Sequence, residues 1–321
     1  MVIYTNGVDV GMVSRKWCFY FSLFVWLGAS CISEEQPLGV CLEFGSSVEV
    51  SRIDNSEISE SSGLAVSKEY SDLLWTHNDS GGGSVVYAMD FEGGDRGAVV
   101  FTTGAAYDWE AMSLGPCDSS SCLFVGDIGD NGGNRESIVL WRLDEPQPPG
   151  AGKTMLVSSD SLTGVYPDGP RDSEAMFVDT RTGDLFLMEK SLTEQANVYR
   201  VASSKWSEVQ SDLVELELVT TIDFLVDSWM GAMVTGADMA PSGHEIFART
   251  YVAGFRIPVI RGSDGVVTGF GEPTVSDVYD SGQCESVAYS PSGLELWFTC
   301  EAENGIIAKA DCNKLRSDLR D

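Results

Sequence analysis

Five oxygen-bearing positions recur in phase along the chain: Ser62, Glu110, Glu174, Thr235 and Glu285. Each opens a segment of one pattern: a polar residue, small and apolar residues, a turn, then an apolar strand ending in polar groups. The segments read SGLAVSKEYSDLLWTHNDSG, EAMSLGPCDSSSCLFVGDIGDN, EAMFVDTRTGDLFLMEKS, TGADMAPSGHEIFARTYV and ESVAYSPSGLELWFTCEA. If these positions stand at one height around an axis, three carboxylates meet in a narrow channel. Like charges at that range raise one another's pKa or demand a cation. The set suits calcium, which accepts about 6–8 oxygen ligands at flexible geometry. Two hydroxyls and nearby waters or carbonyls would complete the number. Zinc is disfavoured, because no histidine or cysteine falls on the ring. The competing reading is a water-filled polar channel whose glutamates bond backbone amides.

The strand that follows each of these positions ends in a second polar set: Asn78 and Asp79, Asp127, Glu189 and Lys190, Arg249, and Glu301. Asp130 and Asn131 follow in the next loop of the second segment. Around one mouth, Lys190 and Arg249 would hold an anionic group. Asp79, Asp127 or Glu189 would orient water, and calcium would neutralise developing charge, the layout of a phosphoester hydrolase. Asp, Asn and Gly at strand ends are equally what turns use, and the DIGDN loop is an alternative second calcium site. His77 adjoins Asn78 and is not taken as a general base; His244 belongs to a PSGH turn. Trp75, Phe124, Phe186, Phe247 and Trp297 occupy equivalent second-strand positions and read as packing between repeats.

The elements that must position these residues are strands. Starts of successive segments lie 48, 64, 61 and 50 residues apart, the range of one four-stranded propeller blade. In the third unit the strands read EAMFVD, DLFLMEKS, ANVYRVAS and LVELELVTTI. The fifth unit supplies only ESVAYS, LELWFTC and GIIAKADC, and CLEFGSSVEVSRI near the other end can complete it. Such closure removes an open sheet edge. The expectation is an all-β chain, a five-bladed β-propeller with an N-terminal strand in the last blade. A six-bladed alternative needs an extra blade inside the longer second or third unit.

Composition narrows the function classes. With 49 Asp+Glu against 20 Lys+Arg the formal charge is −29, which argues against nucleic acid as a partner and against docking on anionic lipid. No GxSxG, HExxH, Walker A or GxGxxG string occurs. Residues 1–12 read as upstream translation with Met12 as the start, and a largely apolar run of 13 residues from Trp17 to Ala29 follows Arg15 and Lys16. That run is too short for a bilayer span but fits a secretory signal. It ends in LGASC, which resembles a bacterial lipoprotein signal with Cys31 lipidated; ordinary cleavage near Ser30 is the alternative. Residues 1–30 are thus upstream sequence and signal, 31–40 a tether and 41–321 one propeller domain. The chain is expected to be monomeric and exported, either as a cell-envelope lipoprotein touching membrane only through its anchor or in secreted form. Lipidation of Cys31 leaves Cys41, Cys117, Cys122, Cys284, Cys300 and Cys312 for three bridges. PCDSSSC suggests Cys117–Cys122. A hairpin around Pro291-Ser292-Gly293, with Ser290 opposite Leu294, sets Cys284 opposite Cys300, and Cys41–Cys312 would staple first strand to last.

The Ser-Glu-Glu-Thr-Glu order, one per blade, resembles the calcium-activated nucleotidases (apyrases), secreted five-bladed propellers with an axial calcium. SGLA…WTHNDSG, DWEAM…GDIGDN and DSEAM…EKS more closely resemble a bacterial group of secreted phytase-like or esterase-like propeller proteins. The resemblance implies calcium as cofactor. Basic residues expected of a nucleotidase cleft are sparse here. Two function classes follow: a calcium-dependent exported hydrolase of small phosphorylated or ester substrates, or a noncatalytic propeller that binds a surface ligand or protein at its funnel with calcium as a structural pin.

Overall fold

The computed structural model describes residues 40–79, 81–118, 120–207, 213–224, 233–276, 278 and 284–315. The signal, most of the tether and Cys31 lie outside the described residues. Regular structure among the described residues is strand, except for the 3-10 helix Ser203–Ser207. No helix among them is long and apolar enough to cross a membrane.

The strands form five antiparallel blades. Blade one runs outward from Ser61–Val66 through Leu74–Asn78 and Val85–Met89 to Asp95–Phe101. Blade two runs from Trp109–Cys117 through Ser120–Asp127 and Ile138–Asp144 to Asp160–Val165. Blade three contains Ser173–Val178, Leu185–Glu189, Gln195–Val201 and Glu217–Asp223. Blade four contains Val234–Met239, Glu245–Thr250, Gly254–Arg261 and Val267–Phe270, with Thr274–Ser276 also paired to Gly254–Arg261. Blade five contains Ala288–Tyr289, Glu295–Thr299 and Ile306–Leu315, completed by Cys41–Phe44 and Val48–Arg52. Innermost strands of successive blades touch in order, and the fifth blade meets the first. The architecture is a five-bladed β-propeller closed by its N-terminal strands.

Among the described residues the long second and third units hold no sixth blade. Their surplus residues reach backwards: Thr154–Val157 adds a parallel strand to the edge of blade one, and Val214–Glu215 adds one to blade two. The expected strand LVELELVTTI is therefore split, with Val214–Glu215 on blade two and Glu217–Asp223 on blade three. Each addition covers an edge that would otherwise expose unpaired amides.

Five apolar cores fill the five interfaces between blades. Trp75, Phe124, Phe186, Phe247 and Trp297 each supply one core and are at most 4% exposed. Burying side chains of this size is worth roughly 1.5–3 kcal/mol each. Closure of the ring has a polar component too. Ser61 Oγ lies 2.7 Å from both Thr76 Oγ1 and Thr299 Oγ1, and Thr299 bonds Ser286, so buried hydroxyls link blade one to blade five.

All three expected disulfides are present: Cys41–Cys312, Cys117–Cys122 and Cys284–Cys300. One register differs from expectation. Cys284 does pair with Cys300, but Tyr289 faces Leu296 and the Ser290 amide bonds the Glu295 carbonyl, so Ser290 is not opposite Leu294. The pairing shifts by one residue between the disulfide and the turn, and Glu285 lies within that shift.

Candidate functional site: an acidic cluster at one mouth of the channel

The five recurring residues are set by a repeated defect. Pairing in the innermost hairpin skips one residue between Ser61 and Gly63, Trp109 and Ala111, Ser173 and Ala175, and Val234 and Gly236. The skipped residues are Ser62, Glu110, Glu174 and Thr235; Glu285 falls in the register shift of blade five. A β-bulge leaves its extra residue unpaired and bends the strand, which here frees one side chain per blade from the ladder. The residue after each bulge is small: Gly63, Ala111, Ala175, Gly236 and Ser286. Close packing within the blade and against its neighbour explains two of these choices. A Cβ on Gly236 would overlap the Glu285 carbonyl, and one on Gly63 would overlap His77 and crowd the Met112 amide.

All five ring residues are buried, yet they do not act as one symmetric set. Ser62 Oγ donates to the Glu110 carbonyl at 2.7 Å, tying blade one to blade two. Glu174 is paired with Lys190 Nζ. Glu285 lies beside Glu301 and Tyr251. Thr235 Oγ1 and Glu174 Oε2 are buried and have no hydrogen-bond partner among the described residues.

Glu110 joins a different group. Carboxylate oxygens of Asp79, Asp108 and Glu110 all lie within 4.8 Å of one another. Asp79 and Asp108 are half-buried at the mouth, while Glu110 is 3% exposed beneath them. Gly129, the glycine of DIGDN, lies against this cluster, and a Cβ there would overlap both Glu110 and Asp108. The cluster offers oxygen alone, the chemistry of a hard cation such as calcium. The group Cys117, Cys122 and Asp144 also converges, but its sulfurs are consumed by a disulfide.

The electrostatics follow from this crowding. Burial, then Glu174, Asp79, Asp108 and Asp172, push the Glu110 carboxyl up to about 11. Burial also raises Asp108 and Asp172. Glu301 reaches about 8 through burial and then Glu285. Without a cation this mouth therefore keeps fewer charges than it has carboxyl groups.

The second polar set divides by role. Asp127 accepts the amides of Tyr107 (2.8 Å) and Asp108 (3.1 Å) and pairs with Arg135 at 2.7 Å, so it fixes the loop that carries Asp108. Asn78 does the same in blade one, accepting the amides of Ser59 and Glu60. Asp130 is used by the amides of Asn134 and Arg135 within its own loop. Glu189 stands 3.8 Å from Arg171. Arg249 bonds the Cys284 carbonyl and its guanidinium lies 5.3 Å from the Phe298 ring centre. His77 is fully buried with Nδ1 2.9 Å from the Asn78 carbonyl, and burial lowers its pKa, keeping it neutral. His244 is exposed beside Arg181. The structure thus brings together Asp79 from one expected set and Glu110 from the other, and adds Asp108. A sequence signal for Asp108 exists: Glu60, Asp108 and Asp172 each stand two residues before a ring position.

No protein-family model matches the chain, and no curated protein does. Among solved structures the chain is similar to a chain of the mitotic checkpoint complex, at 13% identity and TM-score 0.37, over 76% of this chain and 62% of that one. It is similar to an auxiliary nutrient-binding protein from Bacteroides thetaiotaomicron, at 10% identity and TM-score 0.44, over 84% and 76% of the two chains. It is also similar to the Swd1 β-propeller domain from Myceliophteria thermophila, at 10% identity and TM-score 0.43, over 82% and 99%. The chain spans about 62% of the first of these.

Proposed function

We propose that this chain is an exported calcium-binding β-propeller whose metal is held by Asp79, Asp108 and Glu110 and presented at the channel mouth to a small anionic or ester ligand. The observation that carries the reading is the convergence of these three carboxylates, with Glu110 buried and the two aspartates half-buried. Three carboxylates leave several of calcium's oxygen positions to water or to a ligand arriving from the mouth. Export is supported by the signal-like N-terminus and by three disulfides, which persist in oxidising compartments. Anchoring through Cys31 and kinship with the secreted phytase-like or esterase-like propellers belong to the same reading.

For the chemistry, the cations favour binding over turnover. Lys190 is paired with Glu174, and Arg249 bonds a backbone carbonyl, so both are engaged by the protein itself. The solvent-facing side of the aspartates is what favours the second reading, metal-assisted hydrolysis, in which calcium polarises the ester or phosphoryl oxygen. A panel of phosphoesters and carboxylic esters, assayed in calcium or chelator, separates them. The binding reading expects calcium to bind with no turnover of any ester. Calcium-dependent turnover that disappears in Asp108→Asn overturns it in favour of the hydrolase.

A further inference from the structure

The axial ring is chemically lopsided, and the cause is one position on the second strand. In blade one the Asp79 amide bonds the Glu60 carbonyl at 2.9 Å; in blade three the Lys190 amide bonds the Asp172 carbonyl at 2.8 Å. Glu60 and Asp172 each stand two residues before a ring position, so Asp79 and Lys190 are structural equivalents. In blade one that position supplies a carboxylate to the acidic cluster. In blade three it supplies an ammonium, which donates to Glu174 Oε1.

Lys190 is firmly held there. Its backbone bridges to Met233 in the approach to blade four, and its ammonium lies 5.2 Å from the centre of the Tyr251 ring. The lysine and Glu174 side chains are 9% and 4% exposed. Yet the lysine leaves Glu174 Oε2 without a partner, and the Thr235 hydroxyl of the next blade likewise. Two buried oxygens on the ring are therefore left with their lone pairs unused, one of them on the same carboxylate that the lysine pairs.

We propose that Lys190 is a tethered cation that fills the blade-three side of the ring and limits the channel to one calcium ion, on the side of Asp79, Asp108 and Glu110. The inference rests on the calcium reading above. Removing the ammonium would expose Glu174, Thr235 and Glu285 to a free cation. Breaking a buried pair by deleting one partner leaves an uncompensated charge, and a divalent ion is the available compensation.

The experiment is calorimetric titration of calcium chloride into the chelator-stripped full chain, comparing wild type with Lys190→Met, Lys190→Gln and Lys190→Arg. One calcium per chain is expected for wild type and for Lys190→Arg, which keeps the charge. Two are expected for Lys190→Met and Lys190→Gln, falling back to one when Glu174→Gln is added. Should Lys190→Met fold only in calcium, refolding in the ion, desalting and atomic absorption give the same count. A count in both neutral variants equal to that of wild type overturns the inference. If wild type binds one ion and the neutral variants one, the calcium site stands and the role of Lys190 falls. If wild type binds none and the neutral variants one, the Asp79–Asp108–Glu110 site falls and Lys190 remains the occupant of its side.

Discussion

Glu110 is the residue on which most of the site's physics converges. Its folded pKa, about 11, lies far above the ordinary carboxylate value of 4.5, through burial and four neighbouring acids. In metal-free protein the native state then binds a proton that the unfolded chain releases, so stability falls as pH rises. The stabilisation is fully present below the unfolded value and is lost progressively as pH climbs through the folded one. Glu301, raised to about 8, acts in the same direction. His77 acts in the opposite sense, but burial lowers its pKa from 6.5 and it is neutral in both states above about pH 7.5. The melting temperature in chelator is therefore expected to drop between about pH 7.5 and 9, and saturating calcium to flatten that drop by replacing the proton. Equal slopes with and without calcium would show that metal and proton do not compete at these carboxyls. The sequence displayed Glu110 through its phase in the repeat; Asp108 carries a weaker signal, an acid two residues before a ring position in three blades, and its meeting with Asp79 of another blade needs the fold.

At the scale of the element, the bulge in each inner strand turns a ladder position into a channel position. It could be inferred that the ring residues recur, but not that they stand outside the pairing, because a bulge is a property of the backbone pairing, which the side-chain pattern does not spell out. Gly236 shows the constraint. Gly236→Ala places a methyl against the Glu285 carbonyl, and overpacking of this kind costs about 1–3 kcal/mol. Gly269→Ala, on the outer strand of blade four, meets nothing within 4 Å and is the matched control. Urea melts are expected to separate the two by that amount, and equal midpoints would contradict the close approach of blades four and five. The second-strand ends divide by the same logic. Asn78 and Asp127 share a polar character with Asp79, but they cap amides of the preceding loop, a role visible only once strand ends and loops are adjacent.

Across the whole molecule, legibility was highest where periodicity and chain ends carried the signal. The blade count, closure by residues 41–52 and the pairings Cys284–Cys300 and Cys41–Cys312 follow from strands that need partners, and Cys117–Cys122 from a tight loop. What the repeat could not show was the asymmetry: Lys190 in one blade and Asp79 in its equivalent divide the ring into a compensated side and an uncompensated one. Closure also has an energetic test. Cys41–Cys312 joins residues 271 apart in sequence, and loss of a native disulfide costs about 2–5 kcal/mol. Cys41→Ser with Cys312→Ser is expected to lower the melting temperature while keeping the β-sheet circular dichroism, because Val48–Arg52 still pairs with the last strand. The cluster at the mouth is tested most directly by calorimetric titration of calcium into chelator-stripped protein. One saturable calcium in wild type, weakened at least about tenfold in Asp108→Asn, is the predicted result; no binding heat and no calcium-dependent rise in melting temperature would contradict it.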